Sequence, residues 1–505
     1  MRPNDKANSA KNLSGKASIG GLWAIAGKVG GKLVDLLTFI FLAHFLSPND
    51  VGTVAIAMTW VMIVEAVLDL PLAAALLRFE QPTDAMFDTA FTLGALRGCL
   101  IAVTMVALAH PIAWFYNENA LTALTIGLAF APIMRGLVNP RLIIFAKRFD
   151  FRRDFAIDIL GKSCALLTAL TIAAIYQSPW AIAAATLTSP LVAMMLSYWF
   201  VPLRPRLTLS SWRYFSEIVG WHSLAQLISA LNWQAERLML PRFIDTAAFG
   251  QFAFAGDIAS IPHQAIAQPL VKPVVAALAA QSSDEALRQF YIKLVGCYML
   301  VLGPVFLVTG TLSDELLQFA FGDKWRGAAQ ILSWVALTNI LTIPVVALAP
   351  LALRVNQVRF VTLRMAVECA VKIPLVAVGI YLMGIKGAII AQAVSAAFIL
   401  AVAIWSVKQM IALDLWTQIK TFARPALALA GAYGIYVALA HPVPDSADGL
   451  KLFTFILASG LTLTISFAIL SILIWFACGR PDSAEATVIS AVTGNGRFAA
   501  GTRLS

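Results

Sequence analysis

Lys28, Lys32 and Asp35 stand at i, i+4 and i+7 in an otherwise apolar stretch, and Glu65 and Asp69 stand four apart in the next one. An ionised side chain near the centre of a bilayer costs at least ~2.5–3.5 kcal/mol, so such residues face protein or water and mark a task. At helical spacing the first three share a face with Gly21, Ala24, Gly31 and Thr38, while Val29, Leu33, Leu36 and Ile40 line the opposite side. If the second stretch runs back antiparallel, Glu65 and Asp69 fall at the depths of Lys32 and Lys28. Ion pairing across that hairpin is then expected, either to lock it or to line a path. Arg364, Glu368 and Lys372 form a second ladder at i, i+4 and i+8. Arg97, Arg135 and Arg237 add cations, Glu236 and Asp257 add acids, and Asp158 with Lys162 adds one of each.

Two kinds of chemistry follow. Lys28, Lys32, Arg97, Arg135, Arg237, Arg364 and Lys372 suit a hydrated cavity that attracts an anion. Asp35, Glu65, Asp69, Glu236 and Asp257 suit exchange of a proton or a sodium ion, as carboxylates do when a cavity changes exposure. Catalysis finds no residues: there is no HExxH, GxSxG or paired-cysteine pattern, so no catalytic group, no metal site and no cofactor are expected. Gly161-Lys162-Ser163 lacks the first glycine of a phosphate-binding loop, because Ala156 stands there. His263, beside Pro262, reads as a packed residue of a broken helix.

The elements that must hold these charges are membrane helices. Of 505 residues, 60% are hydrophobic and 13% charged, with mean hydropathy +0.80, and long apolar runs recur down the chain. The pattern predicts an all-α integral membrane protein of about fourteen transmembrane helices, by the length a bilayer requires. They fall near 18–45, 51–77, 88–112, 121–145, 155–176, 180–202, 215–242, 247–273, 289–312, 326–351, 360–382, 386–408, 423–441 and 451–477. Alternate loops would hold roughly 22 basic residues on one side and roughly 5 on the other, which places both termini in the cytoplasm. The net charge of +10 then belongs to loops lying against anionic lipid, and nucleic acid is not a partner.

A repeat at constant offset organises the spans. AHFLSPNDVGTVAIA (43–57) returns as PRFIDTAAFGQFAFA (241–255), and Trp23, Phe45, Gly52, Pro71 and Gly98 fall on Trp221, Phe243, Gly250, Pro269 and Gly296. Six helices separate the copies, so both halves have the same orientation and form two parallel six-helix lobes around a cavity. The expected organisation is a tail (1–17), a first lobe (18–202), a linker (203–214), a second lobe (215–408), an appended helix pair (409–477) and a tail (478–505).

Particular segments carry a family resemblance: FLAHFLSPNDVGTVAIA (41–57), AVLDLPLAAALLRFEQP (66–82), DTAFTLGALRG (88–98), PIAWFY (111–116), KRFDFRRDFAI (147–157), NWQAERLMLPRFIDTAAFGQFAFA (232–255) and DELLQFAFGDKW (314–325). Over about its first 410 residues the chain resembles the Wzx-type oligosaccharide flippases of the multidrug/oligosaccharidyl-lipid/polysaccharide exporter superfamily. It departs from them at Glu236-Arg237 and at Pro241, where relatives carry glycine.

The resemblance implies a MATE-like fold in the bacterial inner membrane. It also implies transfer of polyprenyl-pyrophosphate-linked oligosaccharide units from the cytoplasmic to the periplasmic leaflet, for exopolysaccharide or lipopolysaccharide. Membrane lipids, a polysaccharide polymerase and chain-length or export machinery are the implied partners. A lipid II flippase and a multidrug cation antiporter of the same superfamily are the neighbouring readings; the basic inventory disfavours the antiporter. A polytopic polymerase or ligase would need a large external loop, which the short connections do not provide.

Overall fold

A computed structural model describes residues 23, 26–79, 81–148, 150–439 and 449–493, and these are helical with short connections and no strand. Among the described residues, eight helices are long and apolar enough to cross a membrane, or nine when the bent pair Ala120–Gly136 and Pro140–Lys147 counts as one. The chain is an all-helical, multi-pass membrane protein. It divides into two compact units, residues 1–250 and 251–505.

The first unit contains α1 (26–45), α2 (Pro48–Val67), α3 (Asp84–Tyr116), α4 (Ala120–Gly136), α5 (Arg152–Tyr176), α6 (Trp180–Phe200) and α7 (Arg213–Met239). The start of α2 is fixed by a reciprocal cap: the Asp50 amide donates to Ser47 Oγ, and the Ser47 amide donates to Asp50 Oδ2 at 3.0 Å. Its end is set by Pro71, which cannot donate to the helix ladder, so the chain unwinds at 68–71 before a short helix Leu72–Leu77.

The offset of 198 residues reappears as shared local structure. Asp245, the counterpart of Ser47, accepts the Ala248 amide at 2.7 Å as the helix Thr246–Pro262 begins. The break before Pro71 has its counterpart in a π-helical turn, His263–Ala267, just before Pro269. Within the first unit, the counterparts Gly52 and Gly250 also touch. A Cβ on Gly52 would overlap the Thr246 carbonyl oxygen, and one on Gly250 would overlap the Pro48 carbonyl oxygen, which is itself the counterpart of Thr246. The two contacts are reciprocal.

The second unit continues through α8 (Gln268–Ala279), α9 (Asp284–Thr311) and a long helical segment, Asp323–Arg354, to the stretch Val358–Ile411. That stretch is not one rod. Gly384 is non-helical, with φ 58° and ψ −130°, and a Cβ on Gly379 would lie 2.5 Å from the Gly387 carbonyl oxygen. Along a straight helix those glycines would be about 12 Å apart, so the chain reverses at Gly384 and forms a hairpin of two spans. The helices Leu415–Ala438 and Gly449–Ala477 pack on each other and on α9.

The final helix, Ala484–Thr493, docks on α9. Lys293 pairs with Asp482 at 2.6 Å, and Gly296 leaves a notch in which a Cβ would come within 2.6 Å of the Ala484 Cβ. Gly296→Leu is expected to expel this segment, because overpacking costs about 1–3 kcal/mol. Limited proteolysis should then cleave near Cys478–Ser483 faster than in the parent protein; unchanged cleavage would refute the notch.

Candidate functional site

The polar face of the first unit resolves into two clusters. In one, α1 lies against α5 through glycines: Gly27 meets Phe155, Gly30 meets Ile159, and a Cβ at Gly31 would collide with the Asp158 carboxylate. Without a side chain at Gly31, two polar residues of α5 project toward α1. Lys162 Nζ donates to Asp35 Oδ2 at 2.8 Å and lies 3.8 Å from Asp158 Oδ1, and Lys32 lies 3.7 Å from Asp35. Lys28, one turn earlier on α1, is exposed and makes no ion pair among the described residues. Three bases thus face two acids, which leaves a cationic surplus at the Lys28 end.

The second cluster sits where α2 unwinds. A close crossing of α3 and α4 brings it together, since Gly94 and Gly136 have backbones too near for a Cβ on either. Arg97, just past Gly94, places its Nε 2.8 Å from the Leu68 carbonyl, one Nη2 3.2 Å from the Glu65 carbonyl and 3.0 Å from Asp69 Oδ1. These are carbonyls that the broken helix leaves without intrahelical donors. Arg135, next to Gly136, binds Glu65 Oε1 through Nε at 3.0 Å and Nη2 at 2.7 Å. Gln226 of α7 approaches Asp69 at 3.5 Å. Two arginines answer two carboxylates, so the cluster is neutral as a whole.

The expected pairing across the α1–α2 hairpin is therefore replaced. Glu65 takes Arg135 instead of Lys32, and Lys28 makes no ion pair with Asp69. Periodicity shows the face on which a charge lies, but not which neighbouring helix stands opposite. Of the other candidates, Glu236 is buried on α7 at 6% exposure, Arg237 is half-buried, and Asp257 is exposed on the helix Thr246–Pro262. In the second unit Arg364 pairs with Glu368 at 2.6 Å, both largely shielded, and Lys372 lies half-buried a turn further on. Lys162 is the residue whose part sequence reasoning underrated. Its signal was the i, i+4 spacing from Asp158 together with the glycines of α1.

Among the described residues no group of His, Cys, Asp and Glu has the arrangement of a metal site. Among the described residues the arrangement offers fixed ion pairs and, at Lys28, an exposed base with no ion pair on a helix of a membrane protein, a group whose chemistry attracts an anion.

Comparison with known proteins places these features. Residues 41–330 match the family model described as "Polysaccharide biosynthesis protein". The succinoglycan biosynthesis transport protein ExoT of Rhizobium meliloti (strain 1021) is 21% identical over 66% of this chain and 68% of its own length. The lipopolysaccharide biosynthesis protein WzxC of Escherichia coli (strain K12) is 21% identical over 65% and 68%. Among solved structures, the lipid II flippase MurJ in an inward closed conformation superimposes with a TM-score of 0.67 at 11% identity, covering 92% of this chain and all of that one. An inward-facing MATE family multidrug transporter of the MOP superfamily gives 0.60 at 14%, over 77% and 98%. The fold is the one these transporters share, and because the family match spans more than half of its length, the chain belongs to the polysaccharide biosynthesis protein family.

Proposed function

We infer that this chain is a flippase that moves lipid-linked oligosaccharide units across the bacterial inner membrane for assembly of a surface polysaccharide. The family, the transport role in the name of ExoT, the polysaccharide role in that of WzxC and the shared transporter fold support the reading. One observation carries its chemistry: the α1–α5 cluster has a base in excess, and that base, Lys28, is exposed and without an ion pair among the described residues. A polyprenyl-pyrophosphate presents a compact negative charge that such a group attracts, while its apolar tail stays in lipid. A catalytic role is not part of the proposal, and the units would be delivered to a polymerase and export machinery.

Coupling to protons or sodium, as proposed, uses a carboxylate of this set: Asp35, which is 44% exposed between Lys32 and Lys162, Glu65 and Asp69 in their arginine pairs, Glu236 or Asp257.

Lys28→Ala combined with Lys32→Ala is expected to reduce polymer output at least about tenfold, the equivalent of ~1.4 kcal/mol in a binding step. The measurement is polymer secretion in a strain lacking its own flippase, with membrane levels of the variant confirmed. Full secretion from a normally inserted double variant would sink the cationic-site mechanism.

A further inference from the structure

The segment that joins α6 to α7 has no regular secondary structure and emerges at the end of a membrane span. Its backbone is fastened to α3. The Arg206 amide donates to Asp88 Oδ1 at 3.2 Å, the Thr208 amide to Thr92 Oγ1 at 3.0 Å and the Ser211 amide to Thr89 Oγ1 at 3.2 Å. Asp88 and Thr92 lie one turn apart on α3 with Thr89 between them, and the amides of Arg206 and Thr208 that they hold are two residues apart.

The segment thus presents a fixed outer surface. The side chains of Arg204 and Arg206 are exposed and make no hydrogen bond or ion pair among the described residues. Beside them are exposed apolar groups: Leu207 at 78%, and Trp199 at 83%, the latter one residue from the end of α6. Trp212 and Tyr214 are exposed where the chain re-enters helix. Tryptophan and tyrosine at the end of a span settle at headgroup level, and arginines alongside them meet the phosphates there.

We propose that residues 199–214 form a pre-ordered binding strip for anionic phospholipid in the leaflet that borders the basic loops. Three features single out lipid as the occupant: unpaired positive charge, apolar side chains interleaved with it, and the position set by the end of α6. Because the backbone is already fastened to α3, little conformational entropy is lost on binding. The inference needs only that α6 spans the membrane and is independent of what the protein transports.

A photo-crosslinking benzoylphenylalanine at position 207 of the full-length protein, reconstituted in vesicles of equal phosphatidylglycerol and phosphatidylcholine, tests it by mass spectrometry of the adducts. Phosphatidylglycerol is expected to dominate. Arg204→Gln with Arg206→Gln should lower that excess about tenfold or more, each basic residue near a charged surface contributing comparably, whereas Arg204→Lys with Arg206→Lys should preserve it. Thr89→Val with Thr92→Val, which removes two of the three fastenings and keeps both arginines, should lower it to a smaller extent. Equal labelling of both lipids in the parent protein, an unchanged excess in the glutamine variant, or displacement of the lipid by millimolar inorganic pyrophosphate would overturn the proposal.

Discussion

Gly52→Leu is expected to abolish the folded first unit while leaving membrane insertion intact. The side chain would enter the space held by the Thr246 carbonyl, and its neighbour is backbone of another helix, which cannot rotate aside. Overpacking against side chains costs about 1–3 kcal/mol; against a carbonyl in a reciprocal crossing the cost should reach the upper end or beyond, at about 3 kcal/mol or more. Even Gly52→Ala carries a Cβ that overlaps the same oxygen. Gly434, with nothing within 4 Å of its would-be Cβ, is the matched control. Gly434→Ala should be neutral or stabilise its helix by up to ~1 kcal/mol. Thermal unfolding of the purified proteins in detergent measures both, and equal midpoints for Gly52→Leu and Gly434→Ala would refute the crossing.

The second large effect is expected at Arg97. Arg97→Leu removes the donor to the Leu68 and Glu65 carbonyls and strips Asp69 of its partner at 3.0 Å. A partly shielded carboxylate without its guanidinium, together with exposed carbonyls at a helix break, should cost about 2–4 kcal/mol. Arg97→Lys should recover only part of this, since a single ammonium does not reproduce a planar fork that spans three acceptors. A double-mutant cycle with Asp69→Leu isolates the pair. The double variant should be more stable than Arg97→Leu alone, because no carboxylate is then left without its guanidinium. A double variant no better than Arg97→Leu would show that Arg97 acts only through the carbonyls.

These two positions also show what could be read from the chain alone. Gly52 and Gly250 were visible as counterparts at a constant offset, and so were Pro71 and Pro269, because turns and breaks are written in Gly, Pro and capping residues. Their face-to-face contact was not visible, since a repeat specifies equivalence and not proximity. The charge ladders were equally legible: Lys28, Lys32 and Asp35 do share α1, and Arg364 does pair with Glu368. Partner choice was hidden, because Arg135 reaches Glu65 only through the close approach of Gly94 and Gly136. The fastening of the α6–α7 connection by Asp88, Thr89 and Thr92 has no local signature at all. Such residues in the second and third turns of a helix read as ordinary polar groups of its surface.

The reversal at Gly384 bears on how the protein is made. One non-helical residue separates two spans, so no hydrophilic loop exists that could be delivered to the far side after the first span has settled. A lone span from this pair would have to release its partner into water as some 25 apolar residues, at a cost set by their burial. The two spans must therefore leave the ribosome and partition into lipid as a single closed hairpin. A substitution that stiffens Gly384 is therefore expected to disturb insertion of this pair during synthesis, before the finished protein had a chance to be unstable.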